Sequence, residues 1–377
     1  MLPYLSVFFM SSGLLALSDK IKKSQRYIFV ILALILPCIL AGLRASFIGT
    51  DTEVYLMPTI NAAISSNSFS DFLDTGWFRI WRYLYVRDFE RGFTLLIYVS
   101  SRLLGLFWTK FIIQALIIVP VYVALKKYKK YPIWFGMLIF YFLTYNSTLN
   151  MIRQSIAVSF MLLGLIYLME SERRKFLLCF LVSISFHISG IILVINALLY
   201  FFIKSKSKEQ DSRIFIENEL TKVLIIFVFG ILTLFSIGLV SKILGIIGLG
   251  SYSHYFNGVF HFVPNRFLIR LPILFLIIFN WRKWNYSEDN SRFFLAMFMI
   301  SIMCSQLVSV NTYSGRIAYY FTIFEVLSIP SICYANKNRT IRYLMILFII
   351  VYLVVYWWSY YYIEGIDATV PYMLFRQ

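Results

Sequence analysis

The sequence predicts an all-α, polytopic bundle of transmembrane helices. Hydrophobic residues make up 60% of the 377 positions and charged residues only 14%, which is far more apolar than a globular domain. Apolar runs of about 20 residues, the length of helix that crosses a ~30 Å hydrocarbon core, recur from end to end. The alternating pattern of a membrane barrel is absent, so helices are expected to satisfy the backbone groups within the bilayer.

Hydrophilic breaks between the apolar runs define the expected order of spans. Several breaks are rich in Lys or Arg, and the positive-inside rule assigns them to the cytoplasmic side. These breaks cover residues 19–26, 126–130, 170–175, 204–213, 281–292 and 336–342. The spans between them cover residues 2–17, 27–43, 107–125, 132–148, 154–169, 222–240, 266–280, 293–310, 317–335 and 343–362.

Two further segments do not fit a simple span. The stretch 176–203 must leave and return between two cytoplasmic breaks although it is short for two full spans, so we interpret it as a hairpin of shortened helices turning near His187. The apolar stretch 92–107 is interrupted by Arg102, and we interpret it as a re-entrant or interfacial helix. The expected total is then about 12 helices, with both termini outside.

We expect one integral membrane domain over residues 1–377, because no linker is long enough to separate two domains. Its longest extramembrane part is an outer loop region over residues 43–91, and a second outer loop covers residues 241–265. The first apolar run lacks a basic region before it and a small-residue cleavage site after it, so we interpret it as a retained span.

Charge placement and cysteine placement exclude several classes of protein. The net charge is +17, but the lysine clusters lie in short breaks between spans, which indicates a membrane surface and not nucleic acid. All four cysteines fall in apolar runs, where a free cysteine behaves as a small hydrophobe, so neither a disulfide framework nor a metal site is expected. The signatures of phosphate-binding loops, zinc peptidases and serine hydrolases are absent.

Arginine is distributed differently from lysine. Nearly all lysines are assigned inside, whereas many arginines fall outside or at the outer boundary. These are Arg44, Arg79, Arg82, Arg87, Arg91, Arg102, Arg153, Arg266, Arg270, Arg316 and Arg376. Because guanidinium pairs bidentately with phosphate, an outward cavity lined by arginines predicts an anionic substrate such as a diphosphate. The alternative, assigned to about half of them, is that they snorkel to lipid headgroups or pair with loop acids.

Two stretches in the outer loop region carry candidate site residues. Residues 42–55 place Arg44 at the membrane boundary and Asp51 and Tyr55 shortly after it, so that a cation and a carboxylate are within reach of one site. A simpler interpretation is that Asp51 caps a short helix and Arg44 snorkels. Glu90 lies at the entry to the interrupted apolar helix, where a helix dipole also favours an acid.

Polar residues at the outer ends of later spans form further candidates. Asn150, Arg153 and Gln154 lie at the outer end of a helical hairpin, where such side chains are costly unless they meet a substrate or one another. Arg316 follows an outer turn, and Tyr319 lies one helical turn further on.

His187 is a candidate because of its position. A lone histidine in an apolar stretch is usually a satisfied core residue, but His187 stands at the expected turn of the short hairpin, between Ser185 and Ser189. Histidine exchanges its proton most readily near neutral pH. We therefore consider it for acid–base chemistry.

In this order, these stretches resemble the EpsG branch of the Wzy-type polysaccharide polymerases. The resemblance rests on Gly-Leu-Arg with Gly-Thr-Asp and Tyr in residues 42–55, Glu-x-Gly-Phe at 90–93, Arg-Gln-Ser-Ile-Ala at 153–157, Phe-His-x-Ser at 186–189 and the late Arg316. No element alone is specific, but their order covers most of the chain. The sequence departs from the family in one place, because Arg91 stands where a proline usually follows the glutamate.

The resemblance implies a GT-C-like glycosyltransferase in the bacterial inner membrane, with its active site facing the periplasm or the cell exterior. Such enzymes join oligosaccharide repeat units carried on undecaprenyl diphosphate and so lengthen O-antigen, capsule or exopolysaccharide. The expected partners are these lipid-linked oligosaccharides, membrane lipids and a chain-length regulator protein, without nucleic acid. No cofactor or obligatory metal is expected, because the leaving group is already a diphosphate and several arginines are at hand, although Asp51 and Glu90 could bind a metal ion.

The proposed roles follow this chemistry. Arginines would hold the diphosphate as its bond to the sugar breaks, and the histidine or an acid would position or deprotonate the acceptor hydroxyl. The predicted catalytic set is His187, Asp51, Glu90, Arg153 and Arg316. The predicted set that binds diphosphate and sugars is Arg44, Tyr55, Asn150, Gln154 and Tyr319.

The sequence leaves two alternatives to a polymerase. A lipid-linked oligosaccharide flippase would have a similar helix count and basic cavity, but it should show two related halves, and none is found in the sequence. An O-antigen ligase-type transferase would share the donor chemistry and differ only in the acceptor.

Overall fold

The computed structural model describes residues 1–79, 82–204, 212–246 and 253–375. Over these residues the chain is all-α apart from short β segments, which confirms the predicted class. Contacts divide the chain into two compact units, Met1–Leu193 with Ile350–Gln377 (unit 1) and Val194–Ile349 (unit 2). The expectation of one membrane domain stays a prediction.

The helices are numbered along the chain. The first nine are α1 Leu2–Ser18, α2 Lys23–Leu43, α3 Met57–Ser65, α4 Phe69–Asp74, α5 Arg91–Tyr128, α6 Ile133–Phe140, α7 Asn146–Asn150, α8 Ile152–Met169 and α9 Arg173–Phe186. The others are α10 Ile192–Lys204, α11 Ser212–Phe235, α12 Ile237–Ile246, α13 Pro264–Leu268, α14 Leu271–Ser287, α15 Ser291–Ser305, α16 Tyr319–Thr322, α17 Glu325–Tyr334 and α18 Arg339–Trp357.

The chain is an integral membrane protein, as the sequence predicts. Among the described residues, 5 helices are long and apolar enough to cross a membrane, or up to 7 if each bent pair is one span. These 5 are Lys23–Leu43, Arg91–Tyr128, Ile152–Met169, Ser291–Ser309 and Arg339–Ile363. Shorter apolar helices such as Leu2–Ser18 are present as well, and the predicted total of about 12 helices stays a prediction.

The predicted interfacial helix and the span that follows it are joined in α5. This helix breaks at Gly105, whose φ of 79° and ψ of −176° suit glycine. No heavy atom beyond its chain neighbours lies within 4 Å of the place that a Cβ of Gly105 would occupy. The glycine is therefore explained by backbone conformation and not by crowding.

The outer loop region 43–91 is largely folded. It contains a π-helical turn Thr52–Leu56, α3, α4 and an antiparallel hairpin of Gly76–Arg79 (β1) with Arg82–Tyr85 (β2). The Trp77 indole donates a hydrogen bond to the Val54 carbonyl at 3.0 Å, which ties the hairpin to the π-helical turn. In the second predicted outer loop, residues 247–252 lie outside the described residues.

The predicted turn near His187 is confirmed, while the pairing of its two helices as a hairpin stays a prediction. Helix α9 ends at Phe186, and His187 is extended with φ −157° and ψ 129°. A short 3₁₀ turn, Ile188–Ile191, then leads into α10. The turn therefore lies at the end of two helices shorter than a full span.

An aromatic core fixes the C-terminal segment in unit 1. The Phe8 ring stacks on Tyr141 with centroids 5.6 Å apart, and Tyr4 lies 5.9 Å from Trp357. The Trp357 indole donates to Asn146 Oδ1 at 2.7 Å. These contacts pack the end of α18 against α1 and α7, and so place the residues after α18 beside α7.

Candidate active site

An ion pair between Glu90 and Arg153 lies at the centre of the candidate site. Glu90 directly precedes α5, and Arg153 is the second residue of α8, so the starts of two helices meet here. Arg153 Nη1 pairs with Glu90 Oε2, and each side chain is 19% exposed. Because both charges are partly buried, their attraction is stronger than in bulk water, and part of each side chain remains exposed.

Aromatic rings surround the Arg153 guanidinium. Its central carbon lies 4.9 Å from the ring centre of Tyr55, 4.8 Å from that of Phe89 and 5.8 Å from that of Phe93. Ring faces at these distances attract a cation and restrict its movement. The buried Nε of Arg153 has no hydrogen-bond partner among the described residues. The Arg153 guanidinium is thus held in place, and its Nε–H makes no hydrogen bond to the described residues.

Tyr55 connects this ion pair to Asp51. Its hydroxyl donates a hydrogen bond to Asp51 Oδ2 at 2.9 Å, and the side chain is buried. Burial is the main cause that raises the pKa of Tyr55, and the negative charge of Asp51 adds to it, whereas Arg153 opposes it. The phenol therefore stays protonated at working pH and keeps donating to Asp51.

Asn150 holds the loop that carries Asp51. Its Oδ1 accepts hydrogen bonds from Thr50 Oγ1 at 2.8 Å and from the Asp51 backbone N–H at 3.0 Å. Its Nδ2 donates to Asp367 Oδ1 at 2.8 Å. Both the oxygen and the nitrogen of the buried Asn150 amide make hydrogen bonds, which favours a positioning role for Asn150. Contact of Asn150 with substrate stays a prediction.

Two glycines allow backbones to approach closely around the site. Gly49 has a φ of +81°, and a Cβ there would lie 2.4 Å from the Leu149 carbonyl oxygen. A Cβ on Gly92 would lie 2.7 Å from the Ser185 carbonyl oxygen. Side chains at these two positions would push the Asp51 loop and the start of α5 away from their neighbours.

His187 lies next to the ion pair, because the backbone of its turn contacts Glu90. The Ile188 N–H donates to Glu90 Oε1 at 3.2 Å. The His187 Nδ1 accepts a hydrogen bond from the Ser189 N–H at 3.2 Å and contacts the Ser189 hydroxyl. In a neutral ring with this Nδ1 acceptor, the proton is on Nε2, so the other ring nitrogen is a donor.

The C-terminal segment contributes an acid that the sequence reasoning missed. Asp367 Oδ2 accepts from Ser147 Oγ at 2.6 Å, while its Oδ1 binds Asn150. The next residue, Ala368, accepts the Gly49 N–H at 3.0 Å through its carbonyl. The one sequence signal was a polar, acid-bearing stretch just after the last apolar run, at the predicted outer end.

We expect Asp367→Ala to reduce the activity of this site by roughly 10-fold, because it leaves Asn150 Nδ2 without its carboxylate and loosens the loop of Asp51. Rates would be measured with purified protein and the lipid-linked oligosaccharides that the sequence resemblance implies. Glu364→Ala, an exposed acid three residues earlier, is the control. Equal rates for Asp367→Ala and the wild type would exclude the positioning role.

Arg44 is buried in the fold and does not face solvent. It is 1% exposed, and it donates to the Ala41 carbonyl at 2.9 Å and to Thr52 Oγ1 at 3.4 Å. Its own carbonyl accepts a hydrogen bond from Lys110 Nζ at 2.6 Å. These contacts favour a supporting role under the Asp51 loop, and diphosphate binding by Arg44 stays a prediction.

The remaining predicted residues divide between the two units. Gln154 is buried on α8, beside Arg153. Arg316 and Tyr319 belong to unit 2, where the Arg316 guanidinium lies 4.9 Å from the ring centre of Tyr313 and Tyr319 is buried. The structure thus gathers Glu90, Arg153 and the Asp51–Tyr55 pair, while the roles of Arg316 and Tyr319 stay predictions.

Metal chemistry was not expected from the sequence. Within the described ranges, no group of three or more His, Cys, Asp or Glu side chains is placed to hold a metal ion. Metal independence stays a prediction.

Fold and site together define an integral membrane protein with a partly buried arginine–carboxylate centre at the ends of its helices. The EpsG family model matches residues 26–374, nearly the whole chain, and the chain belongs to this family. Family membership identifies it, at a coarse level, as a glycosyltransferase-type polysaccharide polymerase. No curated protein and no solved structure matches the chain.

Proposed function

We propose that the protein joins oligosaccharide repeat units carried on undecaprenyl diphosphate, at the outer face of the bacterial inner membrane. The observation that best supports this is the Glu90–Arg153 pair. It combines a fixed guanidinium that has an unused buried donor with a carboxylate at hydrogen-bonding distance. A lipid diphosphate and an acceptor hydroxyl are the two groups that such a pair suits.

The reaction exchanges one bond at the anomeric carbon and transfers one proton. The acceptor hydroxyl oxygen bonds to the anomeric carbon of the growing chain, and the bond from that carbon to the diphosphate oxygen breaks. The lipid diphosphate leaves with the bonding electrons, and the hydroxyl proton passes to a base. Arg153 would stabilise the charge that develops on the leaving diphosphate.

Glu90 is our choice for the base. Its two oxygens are held by Arg153 and by the Ile188 N–H. When the diphosphate competes for the donors of Arg153, one carboxylate oxygen becomes available to the acceptor hydroxyl. Substrate binding therefore separates the roles of the two partners. Arg153 contacts the diphosphate, and Glu90 contacts the acceptor hydroxyl.

His187 fits a donor better than a base. Its Nδ1 lone pair is occupied by the Ser189 N–H, so a neutral ring offers an N–H at Nε2. That hydrogen suits a phosphate or sugar oxygen. Asp51, which accepts from Tyr55, would serve as a second acceptor for sugar hydroxyls.

The repeat unit that the cell supplies determines which polysaccharide is lengthened, whether O-antigen, capsule or exopolysaccharide. A chain-length regulator and membrane lipids remain the proposed partners, and we propose that transfer needs no metal. A flippase and a ligase are the alternatives that gene deletion distinguishes from a polymerase.

Gene deletion followed by gel analysis of surface polysaccharide tests this proposal. We expect single-repeat products in the deletion strain and a full ladder once the wild-type gene is returned. Glu90→Gln should fail to restore the ladder, because removing a base lowers rates by about 10²- to 10⁴-fold. Glu53→Gln, an exposed acid paired with Arg79, should restore it.

The same gels distinguish the rivals. Loss of every repeat, including the first, would contradict a polymerase and indicate a flippase or a ligase. An unchanged ladder in the deletion strain would exclude any role in chain lengthening.

A further inference from the structure

A basic pocket lies far from the candidate site in sequence, where the turn between α1 and α2 meets the end of α5. Its volume is about 590 Å³, within the range of small-ligand sites. Lys23, Lys126 and Lys129 line it, with Asp19 and Arg26. Two separate breaks, which the sequence assigns to the same cytoplasmic side, thus contribute to one concave surface.

The charge of this pocket is not balanced. Arg26 pairs with Asp19 at 2.5 Å, which neutralises both. Within the described part of the chain, no carboxylate pairs with Lys23, Lys126 or Lys129. The neighbouring Lys127, in contrast, pairs with Glu170 and Glu172 and does not line the pocket. Three positive charges therefore remain for an external anion.

The other walls match the boundary of a membrane. Tyr27, Tyr122 and Tyr131 line the pocket beside the apolar Val30 and Ile31. Tyrosines are enriched at the level of lipid headgroups, where one end of the ring is apolar and the other is wet. Tyr27 and Ile31 are exposed on α2, a candidate span, so the pocket opens beside a lipid-facing surface.

Lys129 occupies a backbone position that does not suit lysine. It ends α5 with φ 53° and ψ 0°, in the left-handed region where helices usually place glycine. A lysine there is less stable than glycine because of its Cβ. The chain thus keeps a cation in this pocket against its local backbone preference.

We propose that this pocket binds the phosphate headgroup of an anionic membrane phospholipid. The three lysines contact the phosphate, the tyrosines lie at headgroup level, and the acyl chains extend along the exposed face of α2. Basic pockets between transmembrane helices on the cytoplasmic side are typical sites for such headgroups. The site is independent of the glycosyl-transfer chemistry.

Native mass spectrometry of the full-length protein in detergent tests the proposal, with phosphatidylglycerol, phosphatidylcholine and inorganic phosphate as probes. We expect wild type to prefer phosphatidylglycerol. Lys23→Gln/Lys126→Gln/Lys129→Gln should weaken its binding roughly 100-fold, because each basic residue near an anionic surface contributes about fivefold. The control Lys20→Gln/Arg173→Gln/Arg174→Gln removes the same charge from exposed positions outside the pocket and should bind like wild type.

Lys129→Gly separates lost binding from lost folding. Glycine suits the backbone at this position, so the variant should unfold at the same temperature as wild type or higher, while binding phosphatidylglycerol about fivefold more weakly. Three results would overturn the proposal: unchanged lipid binding by the triple variant, equal binding of phosphatidylcholine, or binding of inorganic phosphate without binding of lipid.

Discussion

Arg153→Ala is expected to lower the rate of chain lengthening by roughly 100- to 1000-fold. Arg153 is the fixed donor that would meet the leaving diphosphate, and loss of one preorganised donor to developing negative charge has an effect of this size. Arg153→Lys keeps the charge but loses the planar fork, so it should recover only part of the rate. The rate of product lengthening with purified protein and lipid-linked repeat units measures both.

Arg87→Ala is the matched control for this experiment. Arg87 belongs to the same outer loop region and also pairs with an acid, Asp74 at 3.0 Å, but both side chains are more than half exposed. It should polymerise like the wild type. If Arg153→Ala still produces long chains at the wild-type rate, Arg153 has no part in the chemistry.

Arg270→Ala is expected to destabilise the protein by about 3–5 kcal/mol, the usual effect of leaving a buried charge without its partner. In unit 2, Arg270 Nη1 lies 2.9 Å from both carboxylate oxygens of Glu325, and Glu325 is only 1% exposed. The free energy of unfolding in detergent, followed by denaturant titration, would measure the loss.

Replacing both partners removes the ion pair without leaving a buried charge unpaired. Arg270→Met/Glu325→Leu leaves no charge behind, so the double variant should be more stable than Arg270→Ala. Arg79→Ala is the exposed control: its partner Glu53 is 55% exposed, and the expected loss is below about 1 kcal/mol. A loss for Arg270→Ala no larger than that for Arg79→Ala would show that the buried pair contributes little.

Periodicity and composition were enough to predict the helical class, because apolar length alone decides what a bilayer accepts. They did not predict local changes within a helix, such as the π-helical turn Tyr141–Tyr145 that follows α6 inside the predicted span 132–148. The turn at His187 was predictable because two cytoplasmic breaks fix the direction of the chain on either side of it.

The site was predictable in part. Asp51, Glu90 and Arg153 stood out as costly polar residues at the ends of apolar runs. That Glu90 pairs with Arg153 was not predictable, because the two are 63 positions apart and no local pattern defines the partner. Asp367 was missed because its role depends on the C-terminal segment lying against α7, which is a tertiary contact.

Arg44 illustrates a different limit. A cation at the end of a span is equally typical of a residue that snorkels to lipid and of one that binds substrate. The structure gives a third arrangement, in which the guanidinium is buried and hydrogen-bonded to the backbone. The sequence pattern places Arg44 at the end of an apolar run but does not define the direction of its side chain.

The most direct measurement is the product balance of the purified protein in vesicles that carry repeat units on undecaprenyl diphosphate. We predict glycans of increasing length, with one free undecaprenyl diphosphate released for every new glycosidic bond and without added nucleotide sugar. Repeat units that stay single while they cross the bilayer, or glycans that lengthen without release of the lipid diphosphate, would contradict it.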